Sequence, residues 1–221
     1  MLFKPVSHSA WGRKLWFVRH GNRLDFVQPA WFTTALYPYD PPLCPAGHHQ
    51  AQELGDRLAP ETIHHIFTSP FLRTIQTSYY CAQRLNLPLK LEPGLGEWQN
   101  PHWMTRPPLT HPKAFLRQNF IHIDWRYQEK YLPDYPENAA QVQRRTIKTL
   151  KQLLKSYSGN LLLIGHKIPL GICLNYLLGT DQTISPDVCA LNQLVNLGDR
   201  WLWQRQNETD FLTDPGIKVA P

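Results

Sequence analysis

The sequence predicts an α/β fold with a largely parallel sheet. Three observations carry this. Short apolar runs of strand length recur at Lys14–His20, Ile63–Thr68 and Asn160–His166. Segments of helical composition lie between them, so successive strands need crossover connections and run parallel. The chain has 221 residues, with no internal repeat or low-complexity tract, which suits a single domain over 1–221.

Taken in order, Lys14–His20 (KLWFVRH) is a buried strand, and a proline-bearing loop follows through about Pro45. Ala46–Leu58 is helical in composition. Ile63–Thr68 (IHHIFT) is a second strand, punctuated by Ser69-Pro70. Phe71–Leu85 reads as a helix with Pro70 suited to its first turn, where a missing N–H costs nothing. Leu89–Leu91 is a short third strand. Residues 99–135 are rich in proline and aromatics and have no period. Proline removes a donor and fixes φ, so this stretch reads as an irregular, partly helical insertion. Glu137–Tyr157 is a long amphipathic helix whose Gln143, Arg144, Arg145, Lys148 and Lys151 form a solvated face. Asn160–His166 (NLLLIGH) is the strongest strand signal. Ile168–Leu178 is a helix that Gly179 stops. Leu191–Leu197 and Trp201–Arg205 close the chain as paired strands turning at Gly198-Asp199.

Composition narrows the function. The 23 basic and 17 acidic residues leave a net charge of +6, without a lysine-rich run or basic tail. That balance fits a protein that handles anionic small molecules or one that touches nucleic acid weakly, and charge alone does not separate the two. Cys44, Cys81, Cys173 and Cys189 form no CxxC pair and match no zinc module, so they read as reduced thiols in a cytoplasmic protein. The start, MLFKPVSHSAWGRKLWFV, has no apolar segment of signal-peptide form. No run reaches the roughly 20 apolar residues of a membrane span.

In α/β folds ligands bind beyond the carboxyl ends of the strands. Arg19 and His20 end the first strand, Thr68-Ser69 the second, with Arg73 just after, and His166 the fourth. Guanidinium forks match phosphate oxygens, and a helix N-terminus adds backbone donors. A histidine with one free ring nitrogen is a nucleophile toward phosphorus, and neighbouring arginines keep it unprotonated. A backbone carbonyl on the other nitrogen would fix its tautomer. Gly21 lets the backbone approach closely. Arg19, Arg23, Arg73 and His166 neutralise the transferring phosphoryl group without a metal. Glu97, on the loop Leu91–Trp98 (LEPGLGEW), is the best group to protonate the leaving oxygen and then activate water; Glu92 and Asp25 are weaker candidates.

FVRHGNR (17–23), DPPLCPAGHHQA (40–51), TSPFLRTIQT (68–77), EPGLGEW (92–98) and LLLIGH (161–166) together resemble the histidine phosphatase superfamily, the phosphoglycerate mutase-like fold. The motifs stand in the family's order over residues 16–166. A lone RHG is weak, whereas five motifs in order are specific. The resemblance implies a three-layer αβα sandwich, with His20 as the phosphorylated nucleophile, Arg19, Arg23, Arg73 and His166 on phosphate, and Glu97 as acid/base. It implies no metal and no organic cofactor. RHGxR with EPGLxEW is most similar to the TULA-type phosphatase domains. Asn22-Arg23 departs from the RHGES or RHGQS of phosphoglycerate mutases, and Asn22 stands where the TULA-type branch has Glu.

Taken singly, these residues have plainer roles. Arg19 and Arg23 suit a solvated loop, His166 a satisfied core histidine, and Glu97 a loop cap. The pairs His48-His49 and His64-His65 suggest metal, but adjacent residues do not face one way. Gly94-Leu95-Gly96 lacks the third glycine of a dinucleotide fingerprint. Trp98, Trp103 and Trp125 suit either insertion core or pocket wall. Three functions follow: a metal-independent phosphomonoesterase acting through phosphohistidine on a phosphorylated small molecule or phosphopeptide, a phosphate-binding scaffold, and a phosphotransferase or mutase. No nucleic acid or membrane partner is expected.

Overall fold

The computed structural model describes residues 12–28 and 30–215. The reading of the amino-terminal residues 1–11 lies outside them. Six strands form one sheet in the order β3-β2-β4-β1-β5-β6. They are β1 (Lys14–Arg19), β2 (His65–Thr68), β3 (Leu89–Leu91), β4 (Leu161–Gly165), β5 (Leu191–Asn196) and β6 (Trp201–Glu208). β1 runs parallel to β4, β4 to β2, and β2 to β3. The closing pair is antiparallel, β5 to β1 and β6 to β5, with a register shift near Gln193.

The helices are α1 (Trp31–Thr34), α2 (Pro45–Leu58), α3 (Leu72–Leu85), α4 (Lys113–Asn119), α5 (Ala139–Ser156) and α6 (Lys167–Leu178). They cover both faces of the sheet, which explains why β4 is buried at every position. Alternation along β1 sends Trp16 and Val18 to a core with Leu54, Leu58 and Ile75 of α2 and α3. It sends Leu15 and Phe17 to a second core with Leu150 and Leu153 of α5 and Leu170 and Leu174 of α6. The expected three layers are thereby present.

Local signals set several element ends. Gly179 takes the left-handed conformation at φ 62° and ends α6. Asn138 and Gln141 form a capping box at the start of α5. Four expectations need correction. Pro70 lies before α3 rather than in its first turn, because Phe71 is the extended N-cap. Glu137 precedes α5, and β6 extends to Glu208. Arg145 is 6% exposed rather than part of a solvated face.

The 99–135 segment is largely irregular around α4. It also covers the outer edge of the sheet. Leu89 N–H donates to the His122 carbonyl at 2.8 Å, and Asp124 N–H donates to the Leu89 carbonyl at 2.8 Å. An otherwise open edge strand is thus paired.

Replacing Asn138 with Ala removes the side-chain half of the capping box, the acceptor for Gln141 N–H. We expect a loss of about 1 kcal/mol in chemical denaturation, with an unchanged m-value. An unchanged midpoint would mean that packing alone sets the start of α5.

Candidate active site

Parallel strands bring the carboxyl ends of β1, β2, β3 and β4 to one edge, and the segments that leave them bind one another. His20 N–H donates to the Gly165 carbonyl at 3.1 Å, Ser69 N–H to Ile164 at 3.1 Å, and Glu92 N–H to Thr68 at 2.8 Å. His20 is 1% exposed, and its Nδ1 lies 2.8 Å from the Gly21 carbonyl. A carbonyl only accepts, so Nδ1 carries the proton and Nε2 keeps a lone pair. Burial first, then the charges of Arg73, Arg19 and Arg23, hold His20 well below the usual imidazole pKa. The arginines therefore act as the sequence suggested, but desolvation is the larger cause.

Glycine is required where the His20 loop meets α2. A Cβ on Gly21 would lie 2.7 Å from the Gly47 carbonyl oxygen, and one on Gly47 would lie 2.1 Å from that of Asn22. Gly21 N–H donates to Thr77 Oγ1 at 3.1 Å, and Asn22 N–H to Gln50 Oε1 at 2.9 Å.

Arg73 reaches the same place from the first turn of α3. It is 1% exposed. One terminal nitrogen donates to the Tyr39 carbonyl at 3.3 Å and the other to His166 Nδ1 at 3.2 Å. A guanidinium cannot accept, so His166 Nδ1 is the acceptor and its Nε2 donates to Ser69 Oγ at 2.8 Å. Burial pushes the Arg73 pKa down to about 10. The Nε atoms of both Arg73 and Arg19 are buried without a partner. Buried donors without acceptors are costly in a finished core, and they suit a site completed by an anion.

His166 is fully buried, with its ring 5.4 Å from that of His20. Arg23 lines the cleft, stacks over Phe26 at 4.3 Å and is paired with Asp25 through both carboxylate oxygens. Asp25 is thereby an arginine partner rather than an acid/base. Glu97 Oε2 lies 3.8 Å from Arg73 Nη2 and 3.5 Å from His166 Nδ1. Its other oxygen accepts from Trp98 N–H at 3.1 Å. Glu92 is 0% exposed and satisfied by Gly94 N–H, Tyr127 O–H, Lys130 N–H and Tyr131 N–H. It anchors the 99–135 segment and has no lone pair left for proton transfer.

The structure adds a brace that the sequence reading missed. Arg145 binds the Glu137 carboxylate at 2.6 and 2.8 Å. The same guanidinium donates to the carbonyls of Gly94, Gly96 and Glu97. It therefore fixes the backbone that carries Glu97. The eight-residue spacing of Glu137 and Arg145, on a chain turning into a helix, was the available signal. The cleft holds about 190 Å³ and is bounded away from the charged end by Phe32, Pro38, Tyr39, Pro41, Trp103 and Met104. Of the three tryptophans, Trp103 is wall, Trp98 donates to the Glu137 carbonyl at 2.8 Å, and Trp125 packs on the core. The paired histidines are structural: His48 meets Tyr80, His49 meets Glu53, and His64 accepts from Asn160 N–H. Among the described residues no group of three or more His, Cys, Asp or Glu side chains is placed to hold a metal ion, and no helix is long and apolar enough to cross a membrane.

The chain matches the family model described as "Histidine phosphatase superfamily (branch 1)" over residues 15–209. It is 28% identical over 212 residues to the ecdysteroid-phosphate phosphatase of Drosophila melanogaster, covering 79% of this chain and 28% of that protein. It is 27% identical over 209 residues to human ubiquitin-associated and SH3 domain-containing protein B, covering 82% of this chain and 30% of that protein. The chain thus spans less than a third of the length of these curated relatives. Among solved structures it resembles the ecdysone phosphate phosphatase of Bombyx mori in complex with tungstate. The TM-score is 0.71 at 23% identity, over 95% of this chain and 96% of that one.

Two outcomes test this geometry. Arg145→Met leaves Glu137 buried without a counter-charge and should cost about 3–5 kcal/mol in chemical denaturation. A loss below about 1 kcal/mol would show that Glu137 is not buried in solution. The second concerns acid. Folding lowers the pKa of His20 and His166 below the ordinary 6.5. The unfolded chain therefore takes up protons first as pH falls, and this part of the stability is complete above 6.5 and lost below it. Nitrogen NMR should show both rings neutral at about pH 6; a protonated ring there would contradict the burial.

Proposed function

The chain belongs to the histidine phosphatase superfamily, and we propose that it is a phosphomonoesterase that works through a phosphohistidine intermediate without a metal. The observation that carries this is the neutral, tautomer-fixed His20 set beside arginine donors that have no protein acceptor. Arg19, Arg23 and Arg73 hold the phosphate oxygens, and His166 joins them by turning its single N–H, on Nε2, from Ser69 Oγ to the anion. His20 Nε2 attacks phosphorus as the ester P–O bond breaks, and Glu97 gives its proton to the leaving oxygen. The charge that develops on the equatorial oxygens meets guanidinium donors that are already oriented. In the second step water attacks phosphorus, the P–N bond breaks, Glu97 takes the water proton, and inorganic phosphate departs. His20 returns to its neutral form.

The substrate reading follows from the cleft wall. Phe32, Tyr39, Trp103 and Met104 offer apolar contact and no further anion site, which supports an apolar alcohol as leaving group. A relative named for ecdysteroid phosphate agrees with a bulky apolar alcohol. An aryl side chain of a phosphopeptide fits the same wall. We read residues 12–215 as one phosphatase domain in which the 99–135 segment supplies part of this wall.

The test is release of phosphate from p-nitrophenyl phosphate with EDTA present. Wild type should turn over, and His20→Ala should fall by at least about 10³-fold with the fold intact by circular dichroism. Enzyme quenched in alkaline denaturant should carry an alkali-stable, acid-labile phosphoryl group on wild type alone. Binding of phosphate without turnover would replace the enzyme reading by a scaffold, and activity abolished by EDTA would overturn metal independence.

A further inference from the structure

We propose that Asp40 and His111 form a specificity latch that joins the aromatic wall of the cleft to the phosphate clamp; this rests on the phosphatase reading of the cleft. Asp40 is 0% exposed, yet its carboxylate faces no cation of the clamp at bonding distance; it binds three N–H groups from two distant segments. Oδ1 accepts from Leu72 N–H at 2.6 Å. Oδ2 accepts from the backbone N–H of His111 at 3.0 Å and from its ring Nδ1 at 2.9 Å. Leu72 opens α3, so this oxygen caps the helix from another segment, directly before Arg73. A carboxylate can only accept, so Nδ1 of His111 bears the proton.

The neighbouring residue extends the link. The Tyr39 carbonyl accepts from Arg73 Nη1 at 3.3 Å, while its hydroxyl accepts from Thr105 N–H at 3.0 Å and meets Thr105 Oγ1 at 2.9 Å. Trp103 and Met104, immediately before Thr105, line the cleft together with Tyr39. The His111 ring lies between Tyr37 at 4.5 Å and Phe115 at 4.8 Å, which holds it over Asp40. Residues 103–111 are thus tied to the 37–41 loop at two points, and the same loop braces Arg73. A ligand with an apolar group needs the wall in place, whereas a bare anion needs only the clamp. His111 is therefore a positioning residue for the leaving group, although it lines no part of the cleft itself.

Calorimetric binding of inorganic phosphate and of 1-naphthylphosphonate to wild type, His111→Ala and His111→Asn tests this. Neither ligand is hydrolysed, so the result does not depend on turnover. His111→Ala should weaken the naphthyl ligand about tenfold. Inorganic phosphate should stay within about twofold. His111→Asn, whose side-chain N–H occupies the place of Nδ1, should restore naphthyl affinity. Equal loss of both ligands, loss of neither, or failure of the Asn variant to rescue would overturn the latch. Wild type that binds neither ligand would overturn the phosphate reading of the cleft as well. Binding by a wild type that does not turn over would remove the enzyme reading and leave the latch standing.

Discussion

The constraint on which the site depends is the burial of positive charge at the end of a parallel sheet. Arg73 is withdrawn from water near Arg23, and its partners are the Tyr39 carbonyl, a neutral imidazole and, at longer range, the carboxylates of Glu97, Asp40 and Asp25. Desolvated like charges repel, so this cluster is stable only because the sheet and two helices over-determine it. The same burial keeps His20 and His166 neutral, since a further cation there would be costlier still. In the proposed mechanism nucleophilicity and anion affinity then have one physical origin.

Much of the fold was legible because the core uses simple patterns. The run LLLIG can be buried on both faces only at the centre of a sheet, and Gly179 announces a helix end in the residue itself. His20, Arg19, Arg73, His166 and Glu97 were legible for a topological reason: parallel strands deliver their last residues to one edge. What stayed hidden was contact between segments remote in sequence. Arg145 looked like one more basic residue on an amphipathic helix, because its partner carbonyls at Gly94, Gly96 and Glu97 belong to another segment. Glu92 and Glu97 are both carboxylates on one short loop. The sequence ranks Glu97 first, and the structure gives the physical reason: four donors enclose Glu92, while Glu97 faces the cleft.

Two carboxylate–donor systems divide the labour around the reacting atoms. Arg145 and Glu137 hold the backbone of the Glu97 loop, and Asp40 holds the start of α3 and the wall segment. None of the three occupies the cleft. Each fixes several backbone groups at once, so geometry is set by main chain rather than by long side chains with many rotamers. That arrangement limits the conformational entropy that a ligand must remove on binding.

The two ends of the 99–135 segment meet. Glu137 N–H donates to the Gln99 carbonyl at 2.9 Å, Gln99 N–H returns to the Glu137 carboxylate at 3.2 Å, and Trp98 closes on the Glu137 carbonyl. The segment therefore leaves and re-enters the sheet framework through a single pinned doorway. The entropy of closing such an excursion grows only with the logarithm of its length. Its interior can lengthen, shorten or be exchanged at small thermodynamic cost, while the doorway and the adjoining Glu97 keep their places. In the proposed phosphatase, substrate choice can then drift by cassette replacement, with the phosphoryl chemistry left undisturbed.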